Sequence, residues 1–163
     1  MRQSLFILMV FWATFAAAED QNTIAIRRTL DNELTGWRRG DVNLITSQYT
    51  PYFTGYDGQV QVDPRKWAFL WSGGTVHKTG LEEFTAYVEK RLTGRRYDTA
   101  RSIKHIEVRG DRAAVVTEET GTVTHQGTGE RMAIKQYNYW VLNKIDDKWK
   151  ITTLVVNVGP PAP

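Results

Sequence analysis

Cysteine is absent from this chain of 163 residues, and histidine is scarce. Without cysteine, a disulfide framework, a lipid-modified N-terminal cysteine and thiolate chemistry are all excluded. The chain also has no thiol to misoxidise, which suits an oxidising compartment. The three histidines form neither an HxxxH nor an HxH pair, so we expect no metal site.

Charge of one sign is nearly balanced by the other. The formal net charge is +3, and the basic residues are spread along the chain rather than clustered. We therefore expect no nucleic-acid partner. The sequence also lacks a phosphate-cradling glycine loop and a G-x-S-x-G motif around any serine, so it predicts no cofactor and no serine hydrolase.

Only one long apolar run is present, from Leu5 to Phe15. It follows the cation Arg2 and precedes Ala16 and Ala18 in an A-x-A arrangement, which is the layout of a secretory signal peptide. An uncleaved membrane anchor would need a longer apolar core. The sequence thus predicts a signal peptide at residues 1–18 and a periplasmic or secreted protein with no stable membrane span after cleavage.

Helical periodicity dominates the first half of the remaining chain. Ile26, Leu30, Leu34 and Trp37 recur at helical spacing and predict a helix that ends at Gly40. A second helix is predicted to start at the cap Asp41, to place Val42, Ile45 and Tyr49 on its inner side, and to stop at Pro51. A third carries Leu81, Phe84, Val88 and Leu92 and closes at Gly94.

The segment between the second and third helices is less regular. An extended piece at residues 52–56 leads into the turn Asp57-Gly58, and Asp63-Pro64 can cap a short helix that carries Trp67 and Trp71. Residues 59–80 are then either a lid that holds these two tryptophans over a pocket or a structural arm.

Strand patterns fill the second half. Residues 103–108, 113–124, 132–143 and 149–158 predict four strands joined by tight turns, and residues 159–163 a disordered tail. Three helices followed by an antiparallel meander indicate one α+β domain over residues 19–158. Its helices are expected to lie on one face of a bent antiparallel sheet.

Four local motifs occur in the order of a known superfamily. The junction Trp37-Arg38-Arg39-Gly40-Asp41 resembles the W-x-x-G-D motif of the nuclear transport factor two-like superfamily, most closely its SnoaL-like and ketosteroid isomerase-like branches. Residues 49–57 resemble its Y-x-x-D-x-x-x-x-D segment, residues 108–113 its hairpin and residues 148–151 its closing strand. The resemblance implies a cone of three helices packed into a strongly bent sheet, with a pocket at the open end. Members include isomerases, dehydratases, cyclases, epoxide hydrolases and binding modules, so the fold does not decide the activity.

Asp57 is the first candidate for chemistry. The resemblance places it where ketosteroid isomerase-like enzymes keep a proton-abstracting aspartate. Surrounded by aromatic neighbours, its charged form would be poorly hydrated. Alternatively, Asp57 is a turn former, because Asp-Gly is a common turn dipeptide. The aromatic neighbours, which we also predict to bind ligand, are Tyr49, Tyr52, Phe53 and Tyr56.

The resemblance also locates candidate partners for Asp57. The tyrosine of the ketosteroid isomerase oxyanion hole corresponds to the region of Glu33, and its protonated acid to that of Asn138. Asn138 can still donate a hydrogen bond, but Glu33 is a poor substitute for a phenol, so we do not expect steroid isomerisation.

His105 resembles the histidine that dehydratase-like and SnoaL-like members carry on the first meander strand. Facing Asp57 across a pocket, it would form an acid–base pair near neutral pH. The alternative is a half-exposed strand histidine, and strand alternation leaves both open because either face of a bent sheet can point inward.

The predicted pocket suits a flat hydrophobic or aromatic molecule. On the third meander strand Gln136, Asn138 and Trp140 share a face that can line a wet pocket. Trp37 and Trp71 would add aromatic surface if they reach it.

Three functions follow. We expect an exported small-molecule-binding protein, non-catalytic or accessory. An alternative is a cofactor-free isomerase, dehydratase or cyclase in which Asp57 abstracts a proton, His105 relays it and Asn138 steadies the oxyanion. A further alternative is a homodimeric assembly module that pairs through the outer face of the sheet.

Overall fold

The computed structural model describes residues 20–61, 63–73 and 78–160. The predicted signal peptide lies outside the described residues, as do residues 161–163 of the predicted tail. Gly159, which we assigned to that tail, is buried, and its N–H donates to the carbonyl of Gln61 at 3.5 Å. Within the described ranges, no helix is both long and apolar enough to cross a membrane.

Two long helices follow their sequence signals closely. Helix α1, Gln21–Arg39, ends at Gly40, whose φ of 71° is the left-handed conformation that favours glycine. Helix α3, Gly80–Gly94, begins with a capping box in which Thr79 and Glu82 satisfy each other's backbone N–H groups. Both helices bury the predicted apolar stripe against the sheet.

The second helix is shorter than predicted. Helix α2, Val42–Thr46, is capped by Asp41 and ends three residues before Tyr49. Tyr49 instead opens strand β1, Tyr49–Asp57, and pairs with Ile151. The spacing of Val42, Ile45 and Tyr49 fits a helix. However, pairing with another strand also satisfies the backbone of Tyr49, and tertiary contacts favour the strand over the helix at this residue.

The segment after β1 forms a strand where we predicted a helix. A single 3₁₀ turn, Pro64–Lys66, leads into strand β2, Ala68–Trp71. Pairing with β1 explains the strand: Trp71 lies opposite Gly55 and points inward to Phe53, with ring centroids 6.0 Å apart, whereas Phe69 lies opposite Tyr56 and contacts it on the outer face at 4.7 Å. A register shift makes Leu70 an extra residue between them, which is why two residues at i and i+2 point to opposite faces.

One curved sheet contains all the strands of the described residues. Strands β3 (Arg95–Arg109), β4 (Arg112–His125), β5 (Arg131–Ile145) and β6 (Lys148–Val158) form the predicted meander. The order across the sheet is β2-β1-β6-β5-β4-β3. Every neighbouring pair is antiparallel except β1 and β6, which run parallel. The α+β class is confirmed, but the sheet is mixed rather than wholly antiparallel.

Strand β3 starts eight residues earlier than predicted, and its extra length shapes the inner face. Here Arg101 lies directly opposite Glu119 of β4. Gly121 allows the two strands to approach, since its φ is +137° and a Cβ there would lie 2.3 Å from the carbonyl oxygen of Asp98. Helix α1 packs on β3 and β6, and α3 packs on β1.

Candidate functional site

A cavity of about 510 Å³ lies between the helices and the inner face of the sheet. This volume falls within the range of small-molecule sites, roughly 300–1,000 Å³. Much of the wall is aromatic, and the remainder combines aliphatic with charged and amide side chains. The aromatic lining residues are Trp37, Trp71, Phe84, Tyr87, Tyr97 and Trp140.

A buried arginine forms the centre of the polar part of the wall. Arg101 Nη2 donates to Glu33 Oε2 at 2.8 Å, and its Nη1 donates to the carbonyl of Leu30 at 2.8 Å. The Arg101 and Glu33 side chains are only 4% and 2% exposed. Burial opposes the charge on Arg101, but the carboxylates of Glu33 and Glu119 outweigh that effect and raise the guanidinium pKa above its ordinary value.

Glu33 is further held by two aromatic donors. Its Oε1 accepts from Trp37 Nε1 at 2.7 Å and from the Tyr49 hydroxyl at 3.0 Å. Burial, helped by the charge of Glu33, raises the pKa of Tyr49 well above its ordinary value. The hydroxyl therefore stays protonated as a donor, and it serves Glu33 rather than a ligand.

The polar contacts continue from Arg101 across the cavity. Glu119 Oε2 lies 3.6 Å from Arg101 Nη2 and accepts from Asn138 Nδ2 at 3.3 Å. Asn138 Oδ1 in turn accepts from the backbone N–H of Asn157 at 3.1 Å. Asn157 Nδ2 donates to Asp57 Oδ1 at 3.3 Å. One chain of contacts, the polar chain, thus runs from Glu33 to Asp57.

Asp57 both forms a turn and lines the cavity. Its Oδ1 accepts from the backbone N–H of Gln59 at 2.8 Å, as a turn-forming aspartate does. The same residue contributes to the cavity wall. Both contacts of this carboxylate among the described residues use Oδ1, so Oδ2 remains for a ligand. Its role as a base stays a prediction.

His105 does not reach the cavity, which corrects the expected pairing with Asp57. Strand β3 has a register shift between Ile103 and His105, where one extra residue, Lys104, is inserted. Ile103 and Ile106 both pack against the core, and the two residues between them are exposed. His105 pairs with Val116 on the outer face of the sheet, so no acid–base pair forms inside.

The four aromatics next to Asp57 do not form a wall around it. Tyr49 and Phe53 are 4% and 0% exposed and belong to the core. Tyr52 is 86% exposed, and Tyr56 packs on the outer face against Trp67 at 6.3 Å. Strand alternation sends these side chains to opposite faces. The predicted ligand-binding residues that do line the cavity are Trp37, Trp71, Gln136 and Trp140, together with Asn138.

Sequence reasoning missed the role of Arg101, Glu119 and Glu33. One signal was present: Glu33 lies on the apolar stripe of α1, next to Leu34, where a carboxylate needs a buried partner. Nothing in the sequence identified Arg101 as that partner, because the two are 68 residues apart.

A smaller cavity of about 240 Å³ adjoins the main one and shares Tyr87, Tyr97 and Glu119 with it. Burial raises the pKa of Tyr97 to about 12. Arg91 lies over the Tyr87 ring, 4.9 Å from its centroid, and also lines both cavities. Glu119 therefore lies where two hollows meet. In the part of the chain that the structure describes, no group of three or more histidine or acidic residues is placed to hold a metal ion.

Comparisons with known proteins agree with this architecture. Residues 45–155 match the profile of the SnoaL-like domain. A ketosteroid isomerase-like protein from Erwinia carotovora atroseptica superposes with a TM-score of 0.66 at 18% identity, covering 88% of this chain and 99% of that one. A conserved protein from Planctomyces limnophilus gives 0.67 at 16% identity, covering 86% and 98%.

A proposed dehydratase of the NTF2-like family from Streptomyces avermitilis gives a TM-score of 0.62 at 18% identity, covering 86% of this chain and 97% of that one. At these identities the likeness shows the fold alone. No curated protein matches the sequence significantly.

Proposed function

Because this chain belongs to the SnoaL-like family, we propose that it binds a small, flat, largely apolar molecule in the cavity inside its sheet. One observation carries the proposal: the cavity of about 510 Å³ has six aromatic lining residues and a fixed polar wall. Aromatic faces bind flat apolar bodies, and a few convergent polar groups orient them.

The polar wall is arranged before any ligand arrives. Arg101 already contacts Glu33 at 2.8 Å and Glu119 at 3.6 Å. Glu119 in turn accepts from Asn138 at 3.3 Å. Groups fixed in this way do not have to be ordered when a ligand binds, which lowers the cost of association.

A binding or accessory role ranks ahead of catalysis. The expected acid–base pair is incomplete, because His105 lies on the outer face. Of the three predicted catalytic residues, only Asp57 and Asn138 line the cavity.

Blocking the cavity tests the binding function. Leu70 lines the cavity and is 42% exposed. We therefore expect Leu70→Trp to fill the cavity without overpacking the buried core. Ile145→Trp is the matched control, because Ile145 is 43% exposed and lies at the far end of β5. We expect calorimetric titration with hydrophobic aromatic ligands to show binding to the wild type and the control but not to Leu70→Trp. Equal binding by all three proteins would place the ligand elsewhere.

A cofactor-free isomerase, dehydratase or cyclase is the second candidate, supported by the unengaged Oδ2 of Asp57 in the cavity wall. Asp57 would take a proton next to a carbonyl, and Asn138 would stabilise the oxyanion. Asp57→Asn should then abolish turnover and leave ligand affinity unchanged; turnover by the variant would end this role.

We also propose a homodimer through the outer sheet face. There Phe69 is 68% exposed beside Tyr56, and Trp67 lies 6.5 Å from Tyr139. Sedimentation should show a dimer that Phe69→Lys dissociates and Ile145→Lys does not. A monomeric wild type would refute it.

Export by the predicted signal peptide remains part of the proposal. The test is the N-terminus of the protein recovered from the periplasm or medium after expression of the full chain. We expect this N-terminus to be Glu19. Protein that stays in the cytoplasm and retains residues 1–18 would contradict export.

A further inference from the structure

Glu119, like Asp57, is a carboxylate of the polar chain that presents an oxygen to the cavity. Both of its contacts with described residues, those to Arg101 and Asn138, are made by Oε2. Its side chain is 13% exposed and lines both the main cavity and the adjoining one. Oε1 therefore remains as an acceptor for a bound molecule.

The nearest cation, Arg101, only partly compensates the charge of Glu119. Arg101 is neutralised mainly by Glu33, which it contacts at 2.8 Å, whereas its separation from Glu119 is 3.6 Å. Because attraction falls with distance, Arg101 compensates the charge of Glu119 less fully than that of Glu33. Two further cations line the cavities: Arg91, which lines both and stacks on Tyr87, and Arg95, which lines the adjoining one.

We infer that Glu119 selects the ligand: the cavity takes an apolar or aromatic molecule that presents a hydrogen-bond donor, a hydroxyl or an amine, to Glu119 Oε1. The inference rests on the proposed binding function. A donor group on the ligand would give Glu119 Oε1 a hydrogen bond, and hydrogen bonds to a charged acceptor are stronger than those between neutral groups. A ligand carboxylate in the same place is repelled.

Aromatic side chains near Glu119 hold the body of such a ligand. Tyr87 and Tyr97 line both cavities that Glu119 borders, and Trp37 lies 4.9 Å from the Tyr97 ring. A two-ring aromatic body is therefore a suitable test compound.

Four naphthalenes with substituents at the same position separate the effects. Naphthol offers a neutral donor, naphthylmethylamine a cationic donor, methoxynaphthalene no donor and naphthoic acid an anion. By calorimetric titration we expect naphthol to bind the wild type at least about tenfold more tightly than methoxynaphthalene, as a bond to a charged acceptor implies. Naphthoic acid should bind more weakly than either. Tighter binding of naphthylmethylamine than of naphthol would identify the ligand class as cationic.

The variant Glu119→Gln should remove or invert this selection. Arg101 and Asn138 hold Oε2, so the amide oxygen takes that position and the amide NH₂ replaces Oε1. The cavity then presents a donor, and naphthol should lose its advantage over methoxynaphthalene. Glu118→Gln is the matched control: Glu118 is the next residue but binds Lys104 and Tyr137 on the outer face, so it should keep wild-type selectivity.

The outcomes separate the two proposals. If all four compounds fail to bind, the binding function and this inference both fall. If naphthol and methoxynaphthalene bind the wild type equally, the inference falls and the binding function stands. The wild-type comparison decides even if Glu119→Gln does not fold, which circular dichroism would show. Unchanged selectivity in a folded Glu119→Gln would also overturn the inference.

Discussion

Adjacent glutamates on β4 illustrate how differently the two faces of the sheet use the same side chain. Glu118 points outward, where Lys104 Nζ lies 2.6 Å from its Oε2; the Lys104 side chain is 40% exposed and that of Glu118 is 16% exposed. The bond from Lys104 lowers the pKa of Glu118 below its ordinary value. Glu119 points inward to Arg101, whose side chain is 4% exposed, and to the amide of Asn138.

The difference shows where polar groups depend on one another. On the outer face, water replaces a lost partner, so each ion pair contributes little. On the inner face, the Arg101 and Glu33 side chains are only 4% and 2% exposed, so water does not replace a lost partner and a missing member leaves a buried group unsatisfied. Substitutions matched across the two faces should therefore differ in effect.

Removing charge from the inner ion pair should give the largest effect. Glu33→Gln leaves the buried guanidinium of Arg101 with the more distant Glu119, at 3.6 Å, as its carboxylate partner among the described residues. We expect a loss of about 3 kcal/mol in the free energy of unfolding, as for other broken buried pairs. Urea denaturation measures it. Glu118→Gln on the outer face is the control and should change stability far less. Equal losses would mean that the two faces do not differ.

Two tryptophans sharpen the comparison at a smaller scale. Trp140 Nε1 donates to Thr117 Oγ1 at 2.9 Å, and both residues are buried. Trp140→Phe removes this donor and leaves a void, so we expect a loss of about 2 kcal/mol. Trp67 Nε1 donates to Gln61 O at 3.1 Å near the surface, and Trp67→Phe should cost less than about 0.5 kcal/mol. Similar costs in thermal unfolding would contradict the contrast.

Hydrophobic periodicity predicts the parts of this fold that pack on apolar surface. The apolar stripes of α1 and α3 located both helices, because the residues that recur at helical spacing are the ones that pack on the sheet. The start of β3 was missed since its inward residues, Tyr97, Thr99 and Arg101, face the cavity rather than an apolar core. Strand β2 was taken for a helix because it spans only four residues and a register shift at Leu70 removes the alternating pattern of a regular strand.

The candidate site was predictable only where local signals sufficed. Asp57 in its turn and Asn138 on its strand face line the cavity as proposed. The bond between Arg101 and Glu33 joins elements far apart in sequence, and no local pattern contains it. A one-residue register shift in β3 sent His105 outward, and strand alternation cannot foresee an inserted residue.

Asp57 lies at the end of the polar chain, where the two faces meet at the turn, and its contribution should be intermediate. Asp57→Ala removes the acceptor of Gln59 N–H and Asn157 Nδ2 and should cost about 1 kcal/mol. Asp57→Asn keeps an oxygen for the turn and should cost less. If chemical denaturation shows equal losses for the two variants, the charge of Asp57 rather than its turn bond stabilises the fold.

His105 should give the smallest effect because it is exposed and lies on the outer face, away from every residue of the polar chain. We expect His105→Ala to change the free energy of unfolding by less than about 0.5 kcal/mol, the usual range for surface substitutions. Ligand affinity should be unchanged as well, whereas Asn138→Ala, on the inner face, should weaken binding. A His105→Ala variant that folds normally but loses ligand binding or turnover would show that the outer face contributes to the site, and the division between the two faces would fail.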